Sequence, residues 1–278
     1  MGREYLGTVV TRRDIQRAVR DLGLSGLPVC LHVSFRSFGR VEGGAGAIVS
    51  AFLAQGCTVL APTFSDGFAV PPPVHIRPER NGWNYDDYPG PTEGVGRVFS
   101  LETDEITVEE MGAVAAYLAA QPERVRGRHP LCSFTAIGPM AGELVSCQTP
   151  TDVFAPLRAL AGANGWVLLM GVRLEKMTLL HAAEESAGRR LFIRWANGPD
   201  GAAMGVTTGG CSDGFGRFET VLSPLAGKRQ VGESPWTVYP AHETLAAAAE
   251  AIRGNPEITR CGNPRCQRCR DAISGGPI

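Results

Sequence analysis

Apolar and polar positions alternate between short blocks and longer periodic stretches over the first part of the chain. Thr11-Arg12-Arg13-Asp14 places an acid three residues after a hydroxyl, the signature of a capped helix start. Ile15, Val19 and Leu22 then recur at helical spacing, and Gly23 supplies the stop. Pro28 to Val33 is a compact apolar block that predicts a strand, and it runs into a polar loop, Ser34 to Gly39. Gly43-Gly44-Ala45 opens a second helical stretch, which turns Ile48, Ala51 and Phe52 inward and ends near Gly56. Thr58 to Ala61 is the next strand, closed by Pro62. Strand, loop, helix, strand at this spacing predicts a βαβ unit with parallel pairing and a right-handed crossover.

Residues 66 to 94 break the pattern. Pro71-Pro72-Pro73, Pro78, Pro89 and Pro91 interrupt any regular element, and Trp83, Tyr85, Asp86, Asp87 and Tyr88 decorate the stretch. A segment this long and irregular inside a globular chain reads as a functional loop. Helices are expected around Met111, Val114, Ala115 and Leu118, over Asp152 to Leu160 and over Leu245 to Ile252. Strands are expected at Trp166 to Val172 and at Leu191 to Trp195. No internal repeat or linker interrupts the series, so a single domain over residues 1–278 is expected, with a cysteine-rich tail at 255–278.

Composition narrows the function classes. The 278 residues carry a formal net charge of −1, which argues against a nucleic-acid binder driven by phosphate neutralisation. No apolar run approaches membrane-spanning length. Met1 to Tyr5 lacks the apolar block of a secretory signal, and Leu6 stands where a myristoylation signal needs Ser or Thr. Eight cysteines without an export signal point to a reducing compartment, the cytoplasm. Cys30 and Cys57, set among apolar neighbours, read as small core residues.

Three places carry candidate chemistry. The block Trp166 to Val172 and the loop Arg173 to Leu180 would deliver His181 to a sheet's carboxyl edge, where open α/β proteins bind ligands. If a helix begins near His181, Glu184 shares its face and can brace the imidazole, a good general base near neutral pH; a partly buried histidine beside an ordinary helical carboxylate is the plainer alternative. The loop from Ser34 to Gly39 could present backbone N–H groups, the Ser34 and Ser37 hydroxyls and Arg36 to a phosphorylated cofactor, although it has neither a P-loop nor a dinucleotide fingerprint. Finally, Cys261, Cys266 and Cys269 have spacing suited to one tetrahedral zinc, with Cys211 the best fourth ligand and His242 behind it; a reduced tail with incidental thiols is the alternative.

Taken in order, Leu31-His32-Val33-Ser34-Phe35-Arg36-Ser37-Phe38-Gly39, Gly43-Gly44-Ala45, Leu60-Ala61-Pro62-Thr63, Arg128 to Gly138, Leu168 to Val172 and Thr178-Leu179-Leu180-His181-Ala182-Ala183-Glu184 resemble the aminoglycoside 3-N-acetyltransferase family of coenzyme A-dependent enzymes. The resemblance implies a mixed α/β fold, with a largely parallel central sheet flanked by helices, distinct from the GNAT fold. It implies acetyl transfer from acetyl-CoA to an amine, with His181 as general base, Glu184 orienting it and Thr178 beside the acetyl group. It further implies that His32, Ser34, Phe35, Arg36, Ser37 and Gly39 contact the pantetheine and phosphate portions of the cosubstrate, and that Ser133 and Ala136 line its channel. A polycationic acceptor would call for carboxylates, and Asp66, Asp86, Asp87, Glu93 and Asp213 are the candidates, with Asp66 at a strand's carboxyl end foremost. Direct transfer is favoured over a route through Cys132, whose apolar neighbours suggest burial. The same reaction on a non-antibiotic amine, and a non-catalytic homologue that binds coenzyme A or zinc, are the rival readings. Neither nucleic acid nor membrane is expected as a partner, and a monomer or homodimer is.

Overall fold

The capped start at Thr11 forms as the pattern predicts. The Thr11 hydroxyl accepts from Asp14 N at 3.3 Å and the Asp14 carboxylate accepts from Thr11 N at 3.0 Å, opening α1 (Arg12–Asp21). The computed structural model describes residues 9–87 and 89–278, so the readings made on Met1 to Leu6 and on Tyr88 lie outside the described residues.

The βαβ unit is β1 (Pro28–Val33), α2 (Gly44–Leu53) and β2 (Thr58–Pro62), with β1 and β2 parallel. On its other side β1 pairs in parallel with β5 (Trp166–Met170), and Val33 lies opposite Met170. Two antiparallel flanks complete a seven-stranded sheet. β4 (Phe134–Ile137) pairs with β2, and β3 (Val125–Arg126) pairs with β4; β9 (Ser234–Pro240) pairs with β5, and β8 (Gly227–Val231) pairs with β9. Five of the seven strands therefore share one direction, and β4 and β9 oppose it. The sheet is mixed as expected, and its parallel ladders are the two at its centre.

Helices cover both faces. α1, α2 and α3 (Val108–Ala119) pack on one side around Phe52, Leu118 and Trp236. α4 (Ala141–Val145), α5 (Ala155–Gly162), α6 (Leu179–Ser186) and α8 (Ala241–Gly254) pack on the other, with α7 (Glu219–Leu222). The side chains of β1 sort accordingly: Val29 and Leu31 enter the first core and Cys30 the second. Cys57 is buried as well, its thiol bonded to Leu24 O at 3.2 Å. The expected strand at Leu191 to Trp195 is β6 (Phe192–Asn197), which pairs not with the main sheet but with β7 (Ala203–Thr208) in a separate two-stranded sheet. The tail carries α9 (Gln267–Ile273) and is well anchored, not frayed: Asp271 accepts from Gly82 N at 2.8 Å. Among the described residues no helix is long and apolar enough to cross a membrane.

This topology fixes where a ligand can go. The chain leaves β1 towards α2 on one face and leaves β5 towards α6 on the other, so the carboxyl ends of these neighbouring strands bound a crevice at the switch point.

Candidate active site

The 3₁₀ turn Leu174–Lys176 after β5 delivers the chain to Thr178, which stands at the N-terminal cap position of α6. The helix begins two residues before His181, and the spacing of three brings the expected partners together: Glu184 Oε2 lies 2.7 Å from His181 Nδ1. Glu184 Oε1 accepts from Arg189 Nη1 at 2.6 Å. The side chains of His181 and Glu184 are 12% and 7% exposed, so the pair is shielded from bulk water. Three neighbours confine the imidazole. Phe154 stacks on it, with centroids 6.0 Å apart at an angle of 11°, and Phe215 meets it edge-on at 4.7 Å. Gly209 closes the remaining side: a Cβ there would stand 2.7 Å from ring atoms Cγ and Cδ2. With Nδ1 committed to the carboxylate, Nε2 is the nitrogen left for proton transfer.

His181 lines a cavity of about 590 Å³ at the carboxyl ends of β1, β2 and β5. Thr178 and His32 line it with His181. His32 is 6% exposed; burial, and then the positive charge of Lys176, lower its pKa to about 4, so it is neutral at physiological pH. Its Nε2 lies 3.8 Å from Cys30 Sγ. Asp66 and Glu93 also reach the cavity, from the irregular segment read as a functional loop, and Trp83 of the same segment stands beside them. Asn81 ties this segment to β6 through both backbone groups of Ile193, at 2.9 and 2.8 Å.

Other expected residues lie elsewhere. Ser34, Phe35, Arg36, Ser37 and Gly39 form the 3₁₀ turn Phe35–Phe38 and its ends, just past β1 and outside the cavity lining. Ser37 Oγ donates to Ser34 O at 2.7 Å and lies 2.7 Å from Ser234 Oγ, so it braces the turn. Ser133 and Ala136 do not line a channel with their side chains. Ala136 is fully buried in the core, and Ser133, 1% exposed, donates to Thr63 O and accepts from Arg126 Nε, both at 3.0 Å. Asp86, Asp87 and Asp213 are exposed and outside the lining. Asp213 instead receives the Cys211 thiol at 3.5 Å.

The sequence pattern gave no notice of Glu110, Glu175, Arg194 and Arg268, which line the cavity, or of Arg189 behind it. Glu175 follows a strand's carboxyl end, the same signal that singled out Asp66. Arg189 lies beyond the end of α6, at a separation from Glu184 that no helical spacing marks. Cys132 does line the cavity, but burial pushes its thiol pKa far up, against a nucleophilic role.

The four expected thiols meet. The Sγ atoms of Cys211, Cys261, Cys266 and Cys269 all lie within 4.8 Å of one another. A tetrahedral zinc with bonds of about 2.3 Å holds its sulfurs about 3.8 Å apart, a contraction small enough for side-chain adjustment. His242, the reserve ligand, is not in the cluster.

A family model for aminoglycoside 3-N-acetyltransferases matches residues 30–253. Among curated relatives, aminoglycoside N(3)-acetyltransferase IX of Micromonospora chalcea is 33% identical over 197 residues, and aminoglycoside N(3)-acetyltransferase VIII of Streptomyces fradiae is 33% identical over 203. Each alignment covers 67% of this chain and 66% of the relative's own length. The fold superposes on aminoglycoside acetyltransferase AAC(3)-IVa, in a variant crystallised with a gentamicin, with a TM-score of 0.77, 21% identity and coverage of 98% of this chain and 100% of that one. AAC(3)-IIb gives a TM-score of 0.71 at 25% identity, over 89% of this chain and 98% of that one. With most of its length matched by the family model, the chain belongs to the aminoglycoside 3-N-acetyltransferase family.

Proposed function

We propose that this chain transfers the acetyl group of acetyl-CoA to an amine of an aminoglycoside, at the 3-N position that its family name gives, and that it confers antibiotic resistance in the cytoplasm as a single domain. The observation that carries the reading is the imidazole of His181, held at Nδ1 by Glu184 at 2.7 Å, walled by two aromatic rings and set on a cavity that also presents carboxylates.

The chemistry follows from these groups. An aminoglycoside amine is largely protonated in water and must lose a proton before its lone pair can attack a thioester. That first proton goes to solvent; as the free amine bonds to the acetyl carbon, Nε2 of His181 takes the second proton that the nitrogen must shed, and Glu184 stabilises the resulting imidazolium. Charge gathers on the thioester oxygen in the same step, and the Thr178 hydroxyl is the candidate donor to it. The carbon–sulfur bond then breaks, and the imidazolium passes its proton to the leaving sulfur, so that coenzyme A departs as the thiol and His181 is neutral again. Asp66, Glu93, Glu110 and Glu175 offer negative charge to the remaining ammonium groups; Glu175 Oε2 is paired with the exposed Arg173 guanidinium at 3.7 Å. The turn at Ser34 to Gly39, beside β1, is assigned to the cosubstrate, with the Arg36 guanidinium the group offered to phosphate oxygens.

The cysteine cluster is assigned a structural zinc, because four thiolates filling a tetrahedron leave no open position for substrate.

Release of coenzyme A during incubation with a panel of 2-deoxystreptamine aminoglycosides tests the function. Turnover with at least one is expected, and His181→Ala should lower it at least about 100-fold. Absence of turnover with the whole panel, alongside turnover with another amine, would transfer the activity to that amine. Near-normal turnover in His181→Ala would remove the histidine from the mechanism.

A further inference from the structure

The side chain behind the catalytic pair belongs to neither the cavity nor the family motifs. Arg189 is 8% exposed, and its guanidinium fixes the far oxygen of Glu184 at 2.6 Å. It has two further partners, Thr259 Oγ1 at 2.7 Å from Nη1 and Pro256 O at 2.6 Å from Nη2. Both lie in one short turn, Pro256–Thr259, whose start is capped by Asn255. This turn lies beyond residue 253, where the family match ends.

The turn is tied down at both sides. Cys261 follows two residues after Thr259 and joins the four-thiol cluster, to which Cys211 comes from the segment after β7. The segment leading from Gly209 past Cys211 packs tightly on the turn: a Cβ at Gly214 would collide with Thr259 O at 2.2 Å. The same segment carries Gly209, against which the His181 ring lies. Arg268, between Cys266 and Cys269, adds a side chain to the cavity wall. The cluster thus joins the segment that backs the imidazole to the turn that holds the arginine behind its carboxylate.

We propose that the C-terminal segment is a positioning element for the catalytic base, acting through Thr259 and the Pro256 carbonyl on Arg189, and through Arg189 on Glu184 and His181, with the four-thiol cluster holding it in place. This rests on the reading of His181 as the base. A carboxylate anchored on one oxygen only could swing off the imidazole; the guanidinium prevents that, and the two tail contacts prevent the guanidinium from following. Thr259 touches no reacting atom and is a positioning residue.

Thr259→Val removes the acceptor at nearly constant volume, and Thr259→Ser keeps it. In the full chain, Thr259→Val should lower kcat about tenfold while leaving KM for acetyl-CoA and for the acceptor within about twofold, since the loss falls on the orientation of the base and not on binding. Thr259→Ser should restore kcat. Wild-type kcat in Thr259→Val, or no recovery in Thr259→Ser, would overturn the proposal. Cys266→Ser supplies a second arm, read by zinc content as well as rate: loss of zinc with a parallel fall in kcat supports the tie, and loss of zinc with unchanged kcat overturns it. His181→Ala separates the underlying reading. If that variant keeps its rate, the base assignment has failed; if it is inactive while Thr259→Val is not impaired, the positioning role alone has failed.

Discussion

The imidazole of His181, the proposed general base, is confined by Phe154, Phe215, Glu184 and Gly209, and the consequence is clearest at Gly209. Its backbone adopts an ordinary conformation, so the glycine is there for space: a Cβ would sit 2.7 Å from two carbons of the His181 ring, well inside van der Waals contact. Gly209→Ala must therefore push the imidazole towards Phe154 or away from Glu184. Because displacement of a catalytic group by about 1 Å can cost about 100-fold, kcat in Gly209→Ala should fall between tenfold and about 100-fold with the fold intact. Circular dichroism and steady-state rates measured together would check this. An unimpaired rate would mean that the ring does not need the position in which the structure holds it. Glu184 was legible for the opposite reason, since a partner three residues on along a helix is fixed by backbone geometry alone.

Elements were legible in proportion to how much of their environment is local. The capping box at Thr11 and Asp14, the apolar blocks of β1, β2 and β5, and the alanine-rich α8 carry their own signals. The flanking strands do not. β8 is Gly-Lys-Arg-Gln-Val, a polar edge strand whose charges discourage further pairing, and β9 begins Ser-Pro and ends in Pro240, which reads as loop until a neighbour supplies the ladder. Ser133 and Ala136 were misplaced because a motif gives the order of residues but not which face each presents; Ala136 fills a core, and Ser133 joins a hydroxyl network with Thr63 and Arg126. The tail was half legible: the thiol spacing pointed to a metal, whereas the contacts of Thr259 with Arg189 join residues 70 apart and leave no local mark. As an element the tail should depend on the proposed zinc. Purified protein should contain about one zinc per chain, and its removal by a chelator under reducing conditions should lower the unfolding temperature, because binding free energy at a closed four-thiolate site is folding free energy. Protein prepared without zinc and equally stable would exclude the site.

At the scale of the whole molecule, two buried histidines tie acid stability to the way the sheets are joined. His129 is fully buried; its Nδ1 accepts from Leu131 N at 3.2 Å and Cys132 N at 2.8 Å, so Nε2 carries the proton and donates to Thr207 O of β7 at 2.8 Å. That single ring joins the loop before β4 to the small second sheet, and it can do so only as the neutral tautomer. Burial lowers its pKa to about 4, and His32, buried at the end of β1 near Lys176, is lowered to about 4 as well. Unfolded, both titrate near 6.5, so between pH 6.5 and 4 the unfolded chain binds more protons than the folded one. Stability from these residues is complete above about pH 6.5 and is lost as pH falls towards 4. Between pH 6.5 and 5 the loss comes to roughly 1.5 kcal/mol for each histidine, or a fall of about 5 °C in unfolding temperature for both together. Hydrogen bonds from Thr11 and Arg260 lower the pKa of Asp14 and Glu257 and move them away from that range, whereas burial raises that of Glu185 towards it and opposes part of the decline. Thermal unfolding followed from about pH 7 to about pH 5 should show the decline, and His129→Gln, which has no proton to take up, should remove about half of the slope whatever its own starting stability. A flat profile over that range would mean that one or both rings reach water in the folded chain, and that the junction between the two sheets is looser than its hydrogen bonds indicate.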